Sequence, residues 1–390
     1  MNLQSSPSVE IGSTEVAEPD RIDKVEAMIV DVPFRRLQRF ARFESRAQSS
    51  LVIRLWSKDG AQGVGEAVAP CGPWWSGDSV EAMHATFVHY IKPLLIGAKA
   101  DAPGPTMHAI GRSVRGNSFV KAGVEMALLD LQGRKLGVPI ATLLGGTYRT
   151  NCAVAWPIAS GDIQQDCAEM DNMLETRRAS AFKVKMGALP LSEDMARIDA
   201  YMSHLNGRAG LRVDPNEAWS EAEALPAMVA LEATGIDFVE QPLPRHQMAS
   251  MARLAAKTTL PLMIDEGACS AADTLCAAEH GAAQILSLKL MKAGGILPSL
   301  RMANLAAITG MSPYMGTFLE TSLGTAAALH LACALPSLPF GGEIIGPMLM
   351  SEDLVETPIR YVDGAAQLPS GPGLGVDLDE SRLCRFQRQS

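Results

Sequence analysis

The amino-acid sequence predicts an α/β protein in which a smaller α+β domain precedes a closed barrel of parallel strands. The first observation is a period. From about residue 151, short apolar runs alternate with alanine-rich helical segments at intervals of roughly 25 residues, one strand plus one helix. Eight runs centre near Val154, Val184, Val213, Val239, Ile264, Ser287, Tyr314 and Glu343. Seven strand–helix units and a closing strand make a (β/α)7β, or modified TIM, barrel. The second observation is where charge falls. Gly-Leu-Arg-Val-Asp214, Ile-Asp-Phe-Val-Glu240 and Pro-Leu-Met-Ile-Asp265 each end an apolar run in a carboxylate. The C-terminal ends of barrel strands share one rim, so these three side chains converge there. Three hard oxygen donors suit Mg²⁺ or Mn²⁺ with open positions for a substrate.

The elements follow in order. Residues 1–22 are polar, lack the apolar core of a signal peptide, and read as a disordered tail. Residues 23–150 form the α+β domain. Lys24–Val32, Ser50–Trp56 and Gly63–Val68 are strand-like, with Lys58-Asp59-Gly60 as a hairpin turn. Residues 79–136 are helical: Val120, Val124, Leu128 and Leu131 recur at helical spacing, Asn117 is the expected cap and Gly137 the stop. The barrel occupies 151–345, with Ala222–Glu232 and Ser299–Thr309 among its helices. Residues 346–390 hold Pro and Gly clusters and no further barrel unit, and are expected to return to the N-terminal domain and complete it.

Lysines accompany the carboxylates. Phe182-Lys183-Val184-Lys185 lies one strand–helix unit before Asp214, and residues two apart on a strand face the same way. Both lysines therefore point into the barrel mouth, where a nearby cation and burial would lower their pKa toward the acid/base range. Lys289 ends Ile-Leu-Ser287-Leu-Lys289 across the mouth from Lys185, with Ser287 on the same inward face. Two cationic groups on opposite faces of one substrate can remove or deliver a proton from either side. Asn216 is placed to orient a ligand, and Glu266, pointing away from Asp265, to support or pair with a lysine. Glu343 either contacts substrate or bonds a barrel lysine. Glu320 caps the next helix or braces the site, and Lys292 reads as a solvated loop residue.

Composition excludes other classes. The net charge of −9 without a long basic run argues against nucleic acid and anionic membranes as partners, and no apolar stretch is long enough to span a bilayer. The seven cysteines are scattered, odd in number and without a Cys-x-x-Cys pair, as in a reducing cytoplasm. Dinucleotide, phosphate-loop and His-Glu-x-x-His motifs are absent. No histidine ends a barrel strand; His204, His246 and His280 read as surface residues.

Together Phe-Lys183-Val-Lys185, Arg-Val-Asp214-Pro-Asn216, Val-Glu240-Gln-Pro, Ile-Asp265-Glu266, Ser-Leu-Lys289 and Gly-Gly-Glu343 resemble the enolase superfamily, and within it the muconate cycloisomerase family. The resemblance runs from about residue 23 to the C-terminus. It implies a small carboxylate substrate on a metal held by Asp214, Glu240 and Asp265. It implies an enolate intermediate, Lys185 as proton donor or acceptor, Lys183 neutralising the carboxylate, Lys289 serving the opposite face, and a homo-oligomer, often an octamer. The superfamily's use of a lysine base with Mg²⁺ is a standard example of tuned acid/base chemistry. The implied reaction interconverts cis,cis-muconate, or a substituted muconate, and muconolactone. Epimerisation or racemisation of dipeptides or N-acyl amino acids, and o-succinylbenzoate synthesis, would use the same lysines; Gly-Gly-Glu343-Ile-Ile lacks the Asp-x-Asp expected of a dipeptide epimerase. A Schiff-base aldolase or a non-catalytic binding protein leaves the carboxylates unexplained. Strand seven ends in Gly316-Thr317, against the histidine of the mandelate racemase and glucarate dehydratase branches. The loop Ala69-Pro70-Cys71-Gly72-Pro73-Trp74-Trp75-Ser76-Gly77 departs from the family's Gly- and Tyr-bearing lid, and Ile345 stands where some muconate enzymes carry an aromatic. Trp74, Trp75 and Ile345 are therefore the expected substrate-selecting residues.

Overall fold

A computed structural model describes residues 20–39, 44–70 and 72–389; most of the expected N-terminal tail and Cys71 of the lid loop lie outside them. The N-terminal domain opens with an antiparallel sheet of β1 (Ile22–Arg39), β2 (Glu44–Ser57) and β3 (Gln62–Val68). The β2–β3 turn is the expected hairpin, with Gly60 at a φ of 90°. Leu51, Val52, Ile53 and Leu55 of β2 are buried on both faces, because the Ser118–Leu136 helix packs across this sheet. Gly65 permits the contact: a Cβ there would run into the carbonyl oxygen of Gly123.

That helix buries Val120, Val124, Leu128 and Leu131 and stops at Gly137, whose φ of 69° is the left-handed conformation of a glycine C-cap. Its start differs from expectation. Asn117 occupies the cap position but has a φ of 54° and makes no capping bond; its amide donates to the Arg115 carbonyl at 2.8 Å. The earlier helices are Val80–Thr86 and Pro103–Ser113.

The second unit is a curled parallel sheet with covering helices. Its seven strands are β5 (Ala155–Ile158), β6 (Ala181–Lys185), β7 (Gly210–Asp214), β8 (Val239–Glu240), β9 (Leu262–Ile264), β10 (Ile285–Leu288) and β11 (Ser312–Met315), adjacent in chain order. The expected eighth strand is reduced to one residue. Gly342 bridges in parallel to Met315 on one side and Val154 on the other, which closes the ring. Its amide donates to the Ala153 carbonyl at 2.9 Å and its carbonyl accepts from Ala155 at 2.8 Å. The barrel helices begin with side-chain caps: Ser220 and Glu223 form a reciprocal capping box, and Ser270 and Asp162 accept from the third residue on.

The run near Val154 splits. β4 (Asn151–Ala153) leaves the barrel to pair with β13 (Ala365–Gln367), which pairs in turn with β12 (Tyr361–Val362). The C-terminal segment thus pairs with β4 at the barrel and also meets the N-terminal sheet on both sides of that pairing. There Phe34 bridges Met350, Val30 bridges Gln387, and Arg388 bonds Asp31 at 2.6 and 2.7 Å.

Candidate active site

Alternation along the barrel strands sorts the inward side chains into layers. Deepest lies Arg212 of β7, its guanidinium 5.1 Å from the Phe238 ring and 5.3 Å from the Tyr314 ring. Two residues further along their strands come Asp214, Glu240, Asp265, Ser287 and Lys183, all buried. Tyr314 links the layers, accepting from Arg212 at 3.2 Å and donating to Glu343 at 3.4 Å.

Lys183 is the hub. Its buried ammonium donates to Glu240 Oε2 at 2.8 Å and lies 3.2 Å from Asp214 Oδ2 and against Glu343 Oε1. Of the two readings of Glu343, the bond to a barrel lysine is the one present. Lys185, two residues on, is different: its side chain is 47 % exposed, and its ammonium donates at 2.5 Å to both Asp214 Oδ2 and Asn216 Oδ1. Asn216, at a φ of 46°, also donates its backbone N–H to Asp214 Oδ1 at 2.8 Å, so it orients that carboxylate.

Across the mouth Lys289 donates to Asp265 Oδ2 at 2.5 Å. Its side chain fits because residue 316 is glycine; a Cβ there would collide with the lysine methylenes. Two aromatic rings flank the ammonium, Phe318 at 5.0 Å and Trp75 at 5.6 Å. Trp75 is thus the buried half of the lid, set edge-on to Phe318 with centroids 4.7 Å apart. Trp74 is 43 % exposed and donates its indole N–H to Pro70, so the structure does not bring it to the lysines. Ser287 is fully buried and its hydroxyl has no partner among the described residues, and Ile345 is buried two residues past Glu343.

One expectation, for Lys292, needs correction, and for Glu266 and Glu320 the structure selects between the two readings. Lys292 is not solvated. A single helical turn, Leu290–Ala293, folds it under β9, where its buried ammonium donates to Asp265 Oδ1 at 2.8 Å and to the Asp265 carbonyl at 2.7 Å. Glu266 makes no lysine pair among the described residues; it accepts from the Asn216 amide at 3.2 Å, its other oxygen lacks a partner, and burial with the charges of Asp265 and Asp214 pushes it up to about 7. Glu320 does not cap the next helix, a task taken by Thr321; it accepts from Thr317 Oγ1 at 2.5 Å and Phe318 N at 3.0 Å.

Two further groups were not singled out from the sequence. Gln241, at a φ of 33°, accepts from the backbone of Asp265 at 2.9 Å and Gly267 at 3.1 Å, fixing the strand end that carries the ligand. Arg245 grips Glu217 with two nitrogens, donates to the Trp75 carbonyl at 3.2 Å and stacks 5.1 Å from its ring. It ties the lid to the barrel rim. No periodicity marks either residue, because both act from turns whose neighbours are distant in sequence.

The electrostatics follow from these distances. Burial and the neighbouring Asp214 push Glu240 up to about 8. Burial acts against the charge on Asp214 and Asp265 too, yet Lys185 and Lys183 hold the first, and Lys289 and Lys292 the second, below the usual carboxylate range. Burial disfavours the charge on Lys183 and Lys289 as well, but Glu240 and Glu343 around the one and Asp265 and Glu240 around the other raise both. Of the two lysines expected to be lowered beside a bound cation, Lys183 is raised by the carboxylates it touches when no cation is bound beside them.

Among the described residues no three His, Cys, Asp or Glu side chains stand grouped as ion ligands, because ammonium groups lie on the carboxylates that would hold one. The chemistry of the set nevertheless fits a hard dication: three buried carboxylates end adjacent strands, and their mutual repulsion is visible in the raised Glu240.

Residues 165–382 match the family model described as enolase C-terminal domain-like, and residues 24–145 match the mandelate racemase / muconate lactonizing enzyme N-terminal domain. A chloromuconate cycloisomerase of Cupriavidus pinatubonensis is 51 % identical over 93 % of this chain and 98 % of its own. The chain belongs to the muconate cycloisomerase family of the enolase superfamily. This is a family of isomerases that implies a divalent metal ion. Muconate cycloisomerase 1 of Rhodococcus opacus is 40 % identical over 94 % of this chain and 98 % of its own. The muconate lactonizing enzyme of Pseudomonas fluorescens, solved with muconolactone, superposes with a TM-score of 0.93 at 39 % identity, over 95 % of this chain and 100 % of that one. Among the described residues no helix is long and apolar enough to cross a membrane.

Proposed function

We propose that this protein cycloisomerises cis,cis-muconate or a substituted muconate to the corresponding muconolactone, with Lys185 delivering the proton. The observation that carries the reading is the contrast between the two lysines of β6. Lys183 is buried among Glu240, Asp214 and Glu343, a fixed cation that neutralises a bound carboxylate. Lys185 reaches the open mouth, where its ammonium can meet a substrate carbon.

In the reaction one substrate carboxylate adds through oxygen to the distal double bond. The new C–O bond closes the lactone, and the π electrons pass to the carbon beside the other carboxylate, creating enolate character. Lys185 gives that carbon a proton and regains one from solvent, so each turnover consumes one proton. A divalent ion held by Asp214, Glu240 and Asp265, Mg²⁺ or Mn²⁺, would supply positive charge for the enolate oxygens. Asn216 orients Asp214, Gln241 and Lys292 orient Asp265, and the Trp75 lid with Phe318 excludes water around Lys289.

The direct test mixes purified protein with cis,cis-muconate and Mn²⁺ and follows loss of diene absorbance, with EDTA as control. Metal-dependent loss with uptake of one proton per turnover is expected. A protein that binds Mn²⁺ yet leaves both muconate and chloromuconates unchanged would refute the reading and turn attention to epimerase substrates.

A further inference from the structure

Of the carboxylates buried in the N-terminal domain, Glu66 and Glu125 face the barrel, and neither takes part in the chemistry above. Each enters the N-terminus of a barrel helix. Glu66 of β3 accepts from Ser50 Oγ at 2.6 Å within its own domain. It then crosses to the barrel, accepting from Thr321 N at 3.1 Å, Thr321 Oγ1 at 2.9 Å and Gly324 N at 2.9 Å, at the start of the Ser322–Ala334 helix. Glu125 of the Ser118–Leu136 helix accepts from Leu297 N at 3.2 Å, at the start of the Ile296–Ile308 helix. Gly295, at a φ of 139°, makes room for it, since a Cβ there would strike the carboxylate.

What precedes these two helices is the catalytic rim. The Glu125 helix start follows β10 through Lys289, the turn bearing Lys292 and the Gly294-Gly295 link, where Gly295 N also donates to the Leu290 carbonyl at 2.9 Å. The Glu66 helix start follows β11 through Gly316, Thr317, Phe318 and Glu320, with Phe318 lying against Lys289 and Trp75. A buried carboxylate accepting several backbone N–H groups fixes both partners, because leaving those donors unpaired is costly. Here the partners belong to different domains.

We propose that Glu66 and Glu125 are positioning residues that index the N-terminal domain, and with it the lid, against the β10 and β11 loops, so that Lys289 stays seated between Phe318, Trp75 and Asp265. The inference rests on the cycloisomerase reading for its kinetic arm only.

The test uses the full-length, Mn²⁺-loaded protein and the variants Glu66→Gln and Glu125→Gln, which keep shape but turn an acceptor into a donor facing N–H groups. Glu66→Gln should lower kcat by about 10-fold or more while KM and Mn²⁺ affinity stay within about 2-fold, since small misplacements at a reacting centre cost rate before binding. Amide exchange should rise at 317–324 in this variant and at 290–297 in Glu125→Gln. Leu205→Ala, a buried change on the far Leu191–Leu205 helix, controls for lost stability and should leave kcat near the wild-type value. If Glu66→Gln does not fold, Glu125→Gln carries the kinetic arm and should lower kcat about 3-fold. Wild-type kcat per folded molecule in these variants, or an equal fall in Leu205→Ala, would overturn the proposal. Were the wild type inactive on muconates, the functional reading would fail separately, and exchange would decide: unchanged protection at both loops overturns the positioning role.

Discussion

The rim and the N-terminal domain both bury carboxylates, and two aspartates of the rim are shifted the opposite way from the glutamates of the N-terminal domain. Asp214 and Asp265 lie against ammonium groups and stay below the usual range in spite of burial. Glu66 and Glu125 are buried to a similar degree but meet chiefly hydroxyls and backbone N–H groups, and burial pushes both up to about 7. Asp130, bonded to Val64 N, Leu374 N and Arg134, still rises to about 6. Burial alone therefore does not set the state of a carboxylate; the number and depth of its cationic neighbours do. Asp214 and Asp265 of the rim are kept charged, Glu240 beside them is raised like the carboxylates of the N-terminal domain, and Glu66 and Glu125 serve as joints.

The largest effect should come from the rim. Lys185→Ala is expected to cut kcat by about 100- to 10,000-fold with Mn²⁺ binding retained, checked by steady-state kinetics beside Mn²⁺ titration. Retention of most activity would remove Lys185 from proton transfer. Next, Lys292→Met strips one ammonium from both oxygens it holds on Asp265. It should cost about 3–5 kcal/mol in urea unfolding and weaken Mn²⁺ binding, as breaking a buried pair does; a loss below about 1 kcal/mol would return Lys292 to the surface-residue reading.

The joints give a pH signature. Because folding raises Glu66 and Glu125, the native state holds protons that the unfolded chain releases. Their contribution is fully present below about pH 4.5 and is lost as pH rises through about 7. From pH 5 to 8 the wild type should lose up to about 3 kcal/mol more stability than Glu66→Gln, read from urea midpoints. Parallel curves would show that Glu66 is not raised by folding. Asp214 and Asp265 have the reverse sign: their contribution is present above about pH 4 and is lost as pH falls toward their depressed native values. The smallest effect is expected at the lid, where Trp75→Tyr should change the ratio of kcat/KM for chloromuconate and muconate several-fold and leave the pH profile in place. A shifted pH profile with unchanged preference would put Trp75 in the chemistry through Lys289.

Sequence by itself determined the barrel, the order of its strands and the convergence of Asp214, Glu240, Asp265, Lys183, Lys185 and Lys289. The reason is local: alternation of period two and placement at a strand end together fix which side chains share an inward face. The Gly60 hairpin and the Gly137 stop were legible too. Tertiary structure decided what depends on partners far along the chain. The closing strand shrinks to Gly342 because β4 is drawn into a sheet with the C-terminal segment. Asn117 fails as a cap because its backbone is left-handed. Lys292, Arg245, Glu66 and Glu125 each look like ordinary charges in the sequence, and Glu266 was legible only as a support or a lysine partner. Their roles come from the one group each meets in the fold: Asp265, Asn216, the Trp75 lid and two helix N-termini. A charge's neighbours set both its cost and its use, and only the folded chain supplies them.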